Sequence, residues 1–474
     1  MSQDYHTRKL GFLEKYYVCR NVEQYSKDIN VTGQYNHYID KVLLSNALRT
    51  LILKNPSLAV NIYRDGDLKY DEKLNGENFT VRPVEEIAFN DVVTFETVEE
   101  PFGELLLKRL NGEASHVNDS KPLWRVKVFE STSDRKQYVS FHCDHTLFDG
   151  SSVTQFHKDL IVELAYHSKD QSLEIQETLF NYTADWELLP HLLDSSDKIV
   201  DLYNPSILLT LLEFVLKILL PKWLYDGFWS FFSTNVEQAP LYTHNTTRKE
   251  AESNIRHINI TPKDVKRLRA FCKSQNTTLT PFIAAIATYA LQETVFPAVA
   301  KHPCSCEISI PIDGRRYFPE KIEDTKYGLY MGVLSNKVAP ITDIASSTNS
   351  LTANLTAGVA DKSPFSFVGL LKYVNYWKFL ADKLGKADSR LTLEVSNLGL
   401  HLISHNDWSI DNIWFSQANG ILTHFCLSVI ATESSGLNLL ASYFAELDLV
   451  QTSLGKLVID EFMALFSAKL LENV

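Results

Sequence analysis

The stretch FHCDHTLFDGSS, Phe141 to Ser152, gathers His142, Cys143, Asp144, His145 and Asp149 just ahead of Gly150. Upstream of it, WRVKVFE (Trp124–Glu130), a polar turn STSDRK and QYVSFHC (Gln137–Cys143) read as a β-hairpin of alternating side chains. After Gly150 the apolar period becomes helical, with Val153, Phe156, Leu160 and Leu164 on one face. Ser152 and Gln155 stand at the spacing of a capping box. The stretch is thus the end of a strand, a short loop carrying His145 and Asp149, and the start of a helix.

Three chemistries compete for these residues. A metal cluster is disfavoured: neighbours on a strand point to opposite faces, so His142 and Cys143 do not share a metal easily, and no second ligand pair of recognisable spacing lies elsewhere. A cysteine nucleophile is disfavoured too, because Cys143 sits in a strand run where a small buried thiol is common, and G-x-S-x-G is absent. A general base remains. An imidazole at His145 titrates near neutrality and can take a proton from an alcohol, amine or thiol. Asp149 would fix either the loop or the imidazole, and Gly150 would let the chain turn tightly into the helix. HxxxD alone is a weak signal, whereas HxxxDG is expected only ~0.03 times in such a chain and occurs here on a hairpin-to-helix junction.

The bulk composition bounds the setting. The chain has 474 residues, for which two domains are the natural division, and 45% hydrophobic against 22% charged residues is ordinary globular composition. A formal net charge of -12 without a Lys/Arg-rich run argues against a nucleic-acid partner. Six cysteines are too few for a disulfide framework, and the spacing of Cys304 and Cys306 is not that of a metal site. MSQDYHTRKLGFLEKYY lacks the apolar core of a secretory signal, so Asn30, Asn78 and Asn181 in N-x-[ST] triplets read as chance matches and the expected location is cytoplasmic.

Residues 1–190 form a first half with helix-period and strand-period segments; residues 251–474 form a second of the same kind, ending in the amphipathic LGKLVIDEFMALFSAKLL. Residues 191–250 read as a crossover. They contain the most hydrophobic run of the chain, Ser206 to Phe232, interrupted by Glu213, Lys217, Pro221, Lys222 and Asp226. Those charges argue against a spanning helix and leave two readings, a buried or interdomain helix pair and an element lying on a membrane or lipid droplet. The class is α/β or α+β with mixed sheets.

PLWRVKVFE followed by QYVSFHCDHTLFDGSS resembles the CoA-dependent acyltransferase superfamily of chloramphenicol acetyltransferase, the plant BAHD enzymes and condensation domains. Further segments match in the same order along most of the chain: ALRTLILKNPSLAVNIY, TPKDVKRLRAFCKSQNTTLTPFIAAIATYAL, IPIDGRRYFP, LYMGVLSN and VSNLGL. RKLGFLEKYY and IWFSQANGILT narrow the resemblance to the fungal alcohol O-acetyltransferases, with a related branch that acetylates sphingoid-like amines.

The resemblance implies a two-domain chloramphenicol-acetyltransferase-like α/β fold, each half a mixed β-sheet flanked by helices, with a channel between the halves. It implies a monomer that takes acetyl-CoA as co-substrate and a small alcohol or amine as acceptor, without a metal. A place peripheral to the endoplasmic reticulum or lipid droplets, through Ser206–Phe232, is the accompanying expectation. His145 would be the base, and Asp149 would turn away from the substrate to pair with Arg315, or failing that Arg316. Ser396 and Asn397 in VSNLG would be oxyanion donors, although VSNLG is not the DFGWG of the BAHD enzymes. Ser416 and Gln417 would line the channel, and Ser434 and Gly436 in TESSG would approach the pantetheine arm or merely turn the chain. A catalytically silent lipid- or protein-binding member of the fold is the alternative from another class.

Overall fold

Strand Gln137–Cys143 is buried along its whole length because it has a neighbour on either side, Ile29–Tyr35 and Trp124–Ser131, both antiparallel. The computed structural model containing it describes residues 6–66, 74–205, 224, 252–300, 303–385, 391–419 and 423–472. Around this strand lies a six-stranded sheet in the order Ser404–His405, Trp408–Ser416, Ile29–Tyr35, Gln137–Cys143, Trp124–Ser131, Val93–Val98. A second six-stranded sheet has the order Ser253–Ile260, Gly436–Phe444, Thr423–Thr432, Leu391–Leu400, Cys306–Asp313, Met331–Val338. Both sheets are mixed: Val93–Val98 runs parallel to Trp124–Ser131, and Leu391–Leu400 runs parallel to both of its neighbours. The architecture is α/β with two sheet-containing halves.

Helix Gly150–His167 covers the first sheet beside helix Lys41–Lys54. Phe156 on its inner face stacks on Phe141 of the strand, ring centroids 3.7 Å apart. Its neighbour His157 is fully buried, with Nε2 2.9 Å from the carbonyl of Val31 and Nδ1 2.8 Å from the Tyr35 hydroxyl. In the second half, helix Leu279–Thr294 packs on the sheet with helices Ile344–Asp361 and Val458–Leu471 beside it.

Three features differ from the sequence reading or extend it. The first helix turn is capped by Asp149, whose side chain accepts from the Ser152 amide at 2.9 Å, so Ser152 lies inside the helix and no capping box starts there. Gln155 instead donates to Asp159 on the next turn, at 2.8 Å. Trp408–Ser416 crosses back from the second half of the sequence to extend the first sheet, pairing with Ile29–Tyr35. Ser206–Phe232 lies outside the described residues apart from Leu224.

One ionic contact ties the two sequence halves together at the helix start. Asp149 Oδ2 accepts from Arg315 Nη1 at 2.7 Å and from the Tyr330 amide at 3.0 Å, while Oδ1 accepts from the amide and hydroxyl of Ser152, each at 2.9 Å. Arg315 spends its other donors nearby, on the carbonyls of Thr325 (2.5 Å) and Gly328 (3.3 Å) and on the Ser152 hydroxyl (3.1 Å). Both side chains are largely buried, 14% and 8% exposed. Burial pushes the Asp149 carboxyl up, but Arg315 and these hydrogen bonds outweigh it and hold the group below its ordinary value.

Removing one member of such a pair strands a buried charge, at a cost of about 3–5 kcal/mol. Asp149→Asn and Arg315→Gln are each expected to lose about that much in urea denaturation, and the double variant to lose clearly less than the sum. Additive losses would mean that the two groups are not energetically coupled.

Candidate active site

His145 owes its position to a locked turn at the end of strand Gln137–Cys143. The Asp144 amide donates to the Leu123 carbonyl at 3.0 Å. Its fully buried carboxyl accepts from Asn21 (2.8 Å), Ser26 (2.7 Å) and both the amide (2.9 Å) and hydroxyl of Thr146. Burial, with the charge of nearby Asp28, raises the Asp144 pKa against those hydrogen bonds. The residues on either side of this turn face away from solvent. His142 is buried against Asp28 at 2.9 Å, and the Cys143 thiol is buried with its pKa pushed well up. The cluster of ligand-type residues seen in the sequence is thereby dispersed, and among the described residues no three His, Cys, Asp or Glu side chains come together to hold a metal ion.

The His145 ring stacks on Tyr17 of helix Phe12–Val22, with centroids 4.6 Å apart and planes 15° from parallel. The ring is half-buried, and Nδ1 is sealed from solvent without a hydrogen-bond partner. The nearby backbone of His145 and Phe148 acts to favour a proton on the ring. Burial dominates the titration: it lowers the imidazole to about 4, against the attraction of Asp149 and with help from the positive charge of Arg20. At neutral pH the ring is an uncharged proton acceptor.

His145 opens into a cavity of about 410 Å³ lined by both halves of the chain. Helix Phe12–Val22 runs along it, presenting Leu13, Tyr17 and Arg20 over roughly 10 Å, and Gln24 lines it just past the helix end. Strand Leu391–Leu400 forms part of the opposite wall. Leu13, Met331, Val333, Val368 and Leu371 give the lining apolar surface, and Lys27, Ser253, Asn419 and Thr423 give it a cation and hydrogen-bonding groups. Where Gly150 begins the helix, an added Cβ would stand 2.6 Å from Leu398, so a side chain there would push that wall back.

The other residues singled out from the sequence separate cleanly. Ser396 and Asn397 line the cavity. Asn397 is held by the Thr280 hydroxyl (3.0 Å) and the Gly399 amide (2.9 Å), at a bulge where Gly399 takes a φ of +86°. Ser416 is not a lining residue: it is fully buried and donates to Asn111 at 2.8 Å, while its strand neighbours Phe415 and Gln417 face the cavity. Ser434 and Gly436 are also outside the lining and shape the turn between Thr423–Thr432 and Gly436–Phe444, with the Ser434 hydroxyl bonded to the Asp411 carbonyl.

Among the lining residues that escaped the sequence reading are Tyr17, Arg20 and Glu394. The available signals were slight, a helix face at i, i+4, i+7 in LEKYYVCR and one acid inside the apolar alternation of RLTLEVSNLGL.

A family model described as alcohol acetyltransferase matches residues 9–470. N-acetyltransferase SLI1 of Saccharomyces cerevisiae is 24% identical over 475 residues, covering 92% of this chain and 95% of that protein. Alcohol O-acetyltransferase 1 of the same yeast is 24% identical over 500 residues, covering 93% and 91%. Among solved structures, the TRI3 trichothecene 15-O-acetyltransferase of Fusarium sporotrichioides superposes with a TM-score of 0.62 at 12% identity, covering 98% of this chain and 95% of that one. The epimerization domain of tyrocidine synthetase B superposes with a TM-score of 0.60 at 13% identity, covering 99% and 97%. Two sheet-bearing halves around a histidine-lined cavity, and a family match running over nearly the whole length, lead to one assignment: the chain belongs to the alcohol acetyltransferase family.

Proposed function

We propose that the protein transfers the acetyl group of acetyl-CoA directly to the hydroxyl of an apolar alcohol, with His145 as general base. The observation that carries this reading is the half-buried, uncharged imidazole on the cavity wall, whose Nδ1 is sealed from solvent so that Nε2 is the nitrogen left to act. Family membership implies acetyl-CoA as co-substrate. The lining residues suit it: Lys27, Ser253, Asn419 and Thr423 offer a cation and hydrogen-bonding groups to a phosphorylated carrier, and Leu13, Val333, Val368 and Leu371 offer apolar cover to an aliphatic acceptor.

In this reading His145 Nε2 takes the hydroxyl proton as the alcohol oxygen bonds to the thioester carbonyl carbon. The tetrahedral intermediate collapses, the carbon–sulfur bond breaks, and the imidazolium returns the proton to the departing sulfur. The products are the acetate ester and free CoA. No covalent acyl-enzyme is required, because both substrates occupy one cavity and proximity lowers the barrier. A preformed base of this kind contributes about 10²–10⁴ in rate.

The oxyanion is assigned to Ser396. Asn397 already spends one amide hydrogen on Thr280 and its carbonyl on Gly399, whereas Ser396 carries its hydroxyl on the cavity wall. A preorganised donor there contributes about 10²–10³.

Two outcomes follow. Thiol release from acetyl-CoA should depend on added unbranched alcohols, and the acid limb of kcat/KM should have its midpoint well below 6.5, since a lowered imidazole pKa keeps the base neutral until the pH falls toward it. Release no faster than hydrolysis with every alcohol, or a limb centred at or above 6.5, contradicts the reading. Ser396→Ala should lower kcat about 100-fold with the KM values little changed; a variant retaining most of its kcat removes Ser396 from the role.

A further inference from the structure

The cavity holds an arginine and a glutamate that do not pair with each other. Glu394 projects from the middle of the second sheet and is half-buried. Its carboxyl takes hydrogen bonds from Gln417 (3.1 Å), Ser309 (3.4 Å) and the Cys426 thiol (3.5 Å), all neutral donors. Arg20 lies on the facing helix with its Cζ 5.3 Å from the Tyr17 ring centroid and 5.9 Å from that of Tyr16, and its Nε is buried without a hydrogen-bond partner. Among the described residues neither side chain forms a salt bridge. Each nevertheless feels the other's charge, and Tyr17, stacked on His145, feels both.

Two opposite charges held apart in a cavity lose solvation without gaining contact, an arrangement that costs stability unless a ligand completes it. The nature of the ligand follows from the pair. A cation drawn to Glu394 would meet Arg20, and an anion drawn to Arg20 would meet Glu394. A neutral dipole with an N–H at one end and a carbonyl at the other satisfies both. Position narrows it further. Arg20 lies one helical turn beyond Tyr17 toward Gln24, and Glu394 lies on its strand between Leu398, beside Gly150, and Leu391, which pairs with Thr423. Arg20 is thus one turn from the ring stacked on His145, and Glu394 shares a strand face with Ser396 on the same cavity wall.

We infer that Arg20 and Glu394 clamp the amide of the pantetheine arm nearest the thioester sulfur, Glu394 accepting its N–H and Arg20 donating to its carbonyl. The inference rests on the acyl-transfer reading above, and it gives the chain a device that sets the thioester against His145. Burial raises the proton affinity of Glu394, in keeping with a carboxyl that lacks a counter-ion until the ligand arrives. Arg20 and Glu394 are binding residues in this account, and the proton moves through His145.

The test uses Glu394→Gln and Arg20→Gln in the full chain, with two readouts. Calorimetric titration with CoA should show its affinity weakened about tenfold in each variant, the scale of one charge-assisted hydrogen bond. Two small acetyl donors should then separate amide recognition from general damage: S-acetyl-N-acetylcysteamine, which carries the amide, and S-butyl thioacetate, which does not. The wild-type protein should favour the first, and the ratio of the two kcat/KM values should fall at least several-fold in each variant. CoA affinity within twofold of wild type in both variants, an equal loss with both donors, or a loss confined to the acceptor KM would each overturn the clamp. Glu394→Asp, which keeps the charge but shortens its reach, should also weaken CoA binding and serves if Glu394→Gln does not fold. Because CoA binding is read without turnover, the clamp can fail while acetyl transfer stands, and the reverse.

Discussion

The ion pair between Asp149 and Arg315 decides what the histidine loop can do. Its partners are 166 residues apart in sequence, and it joins the start of helix Gly150–His167 to the segment 325–330 of the second half. Every acceptor direction of the Asp149 carboxylate is taken: Ser152 twice on one oxygen, Arg315 and the Tyr330 amide on the other. The carboxylate thus has nothing left to offer His145 except charge at a distance. Of the two tasks open to an aspartate at this spacing, it performs the loop-holding one. The imidazole is oriented instead by its stack on Tyr17.

This separation has an electrostatic consequence. A histidine paired directly with a carboxylate gains proton affinity, which is useful where an imidazolium must be stabilised. Here burial exceeds the residual pull of Asp149, and the ring stays neutral. A neutral base suits a reaction in which the proton is borrowed and returned within one turnover. The cavity around it combines apolar side chains with the charged Arg20, Glu394 and Lys27.

The fold class was legible because alternation and helical periodicity are local properties. Gln137–Cys143 announces a strand and Val153 to Leu164 a helix, so the place of the histidine between them follows from local pattern alone. Facts that depend on remote pairing were harder to read. Arg315 was named through family resemblance, since nothing local in PIDGRR says which arginine reaches Asp149. Of Ser416 and Gln417, both expected on the channel, Gln417 lines the cavity, whereas Ser416 does not: one step along a strand reverses the face, and Phe415 lines it in its place. Tyr17, Arg20 and Glu394 come from a helix and a strand at opposite ends of the sequence, and only the packed cavity brings them together. The capping-box spacing at Ser152 misled for a simpler reason, because Asp149 is a stronger cap one position ahead of the helix.

The central claim is that the accessible imidazole nitrogen of His145 moves the acceptor proton. It is tested most directly by His145→Ala, assayed for alcohol-dependent thiol release beside CoA binding by calorimetry and thermal melting. The account predicts a fall in kcat of about 10²–10⁴, with CoA affinity and melting temperature close to those of the unmodified protein. A variant that binds CoA, melts normally and retains most of its turnover would contradict it.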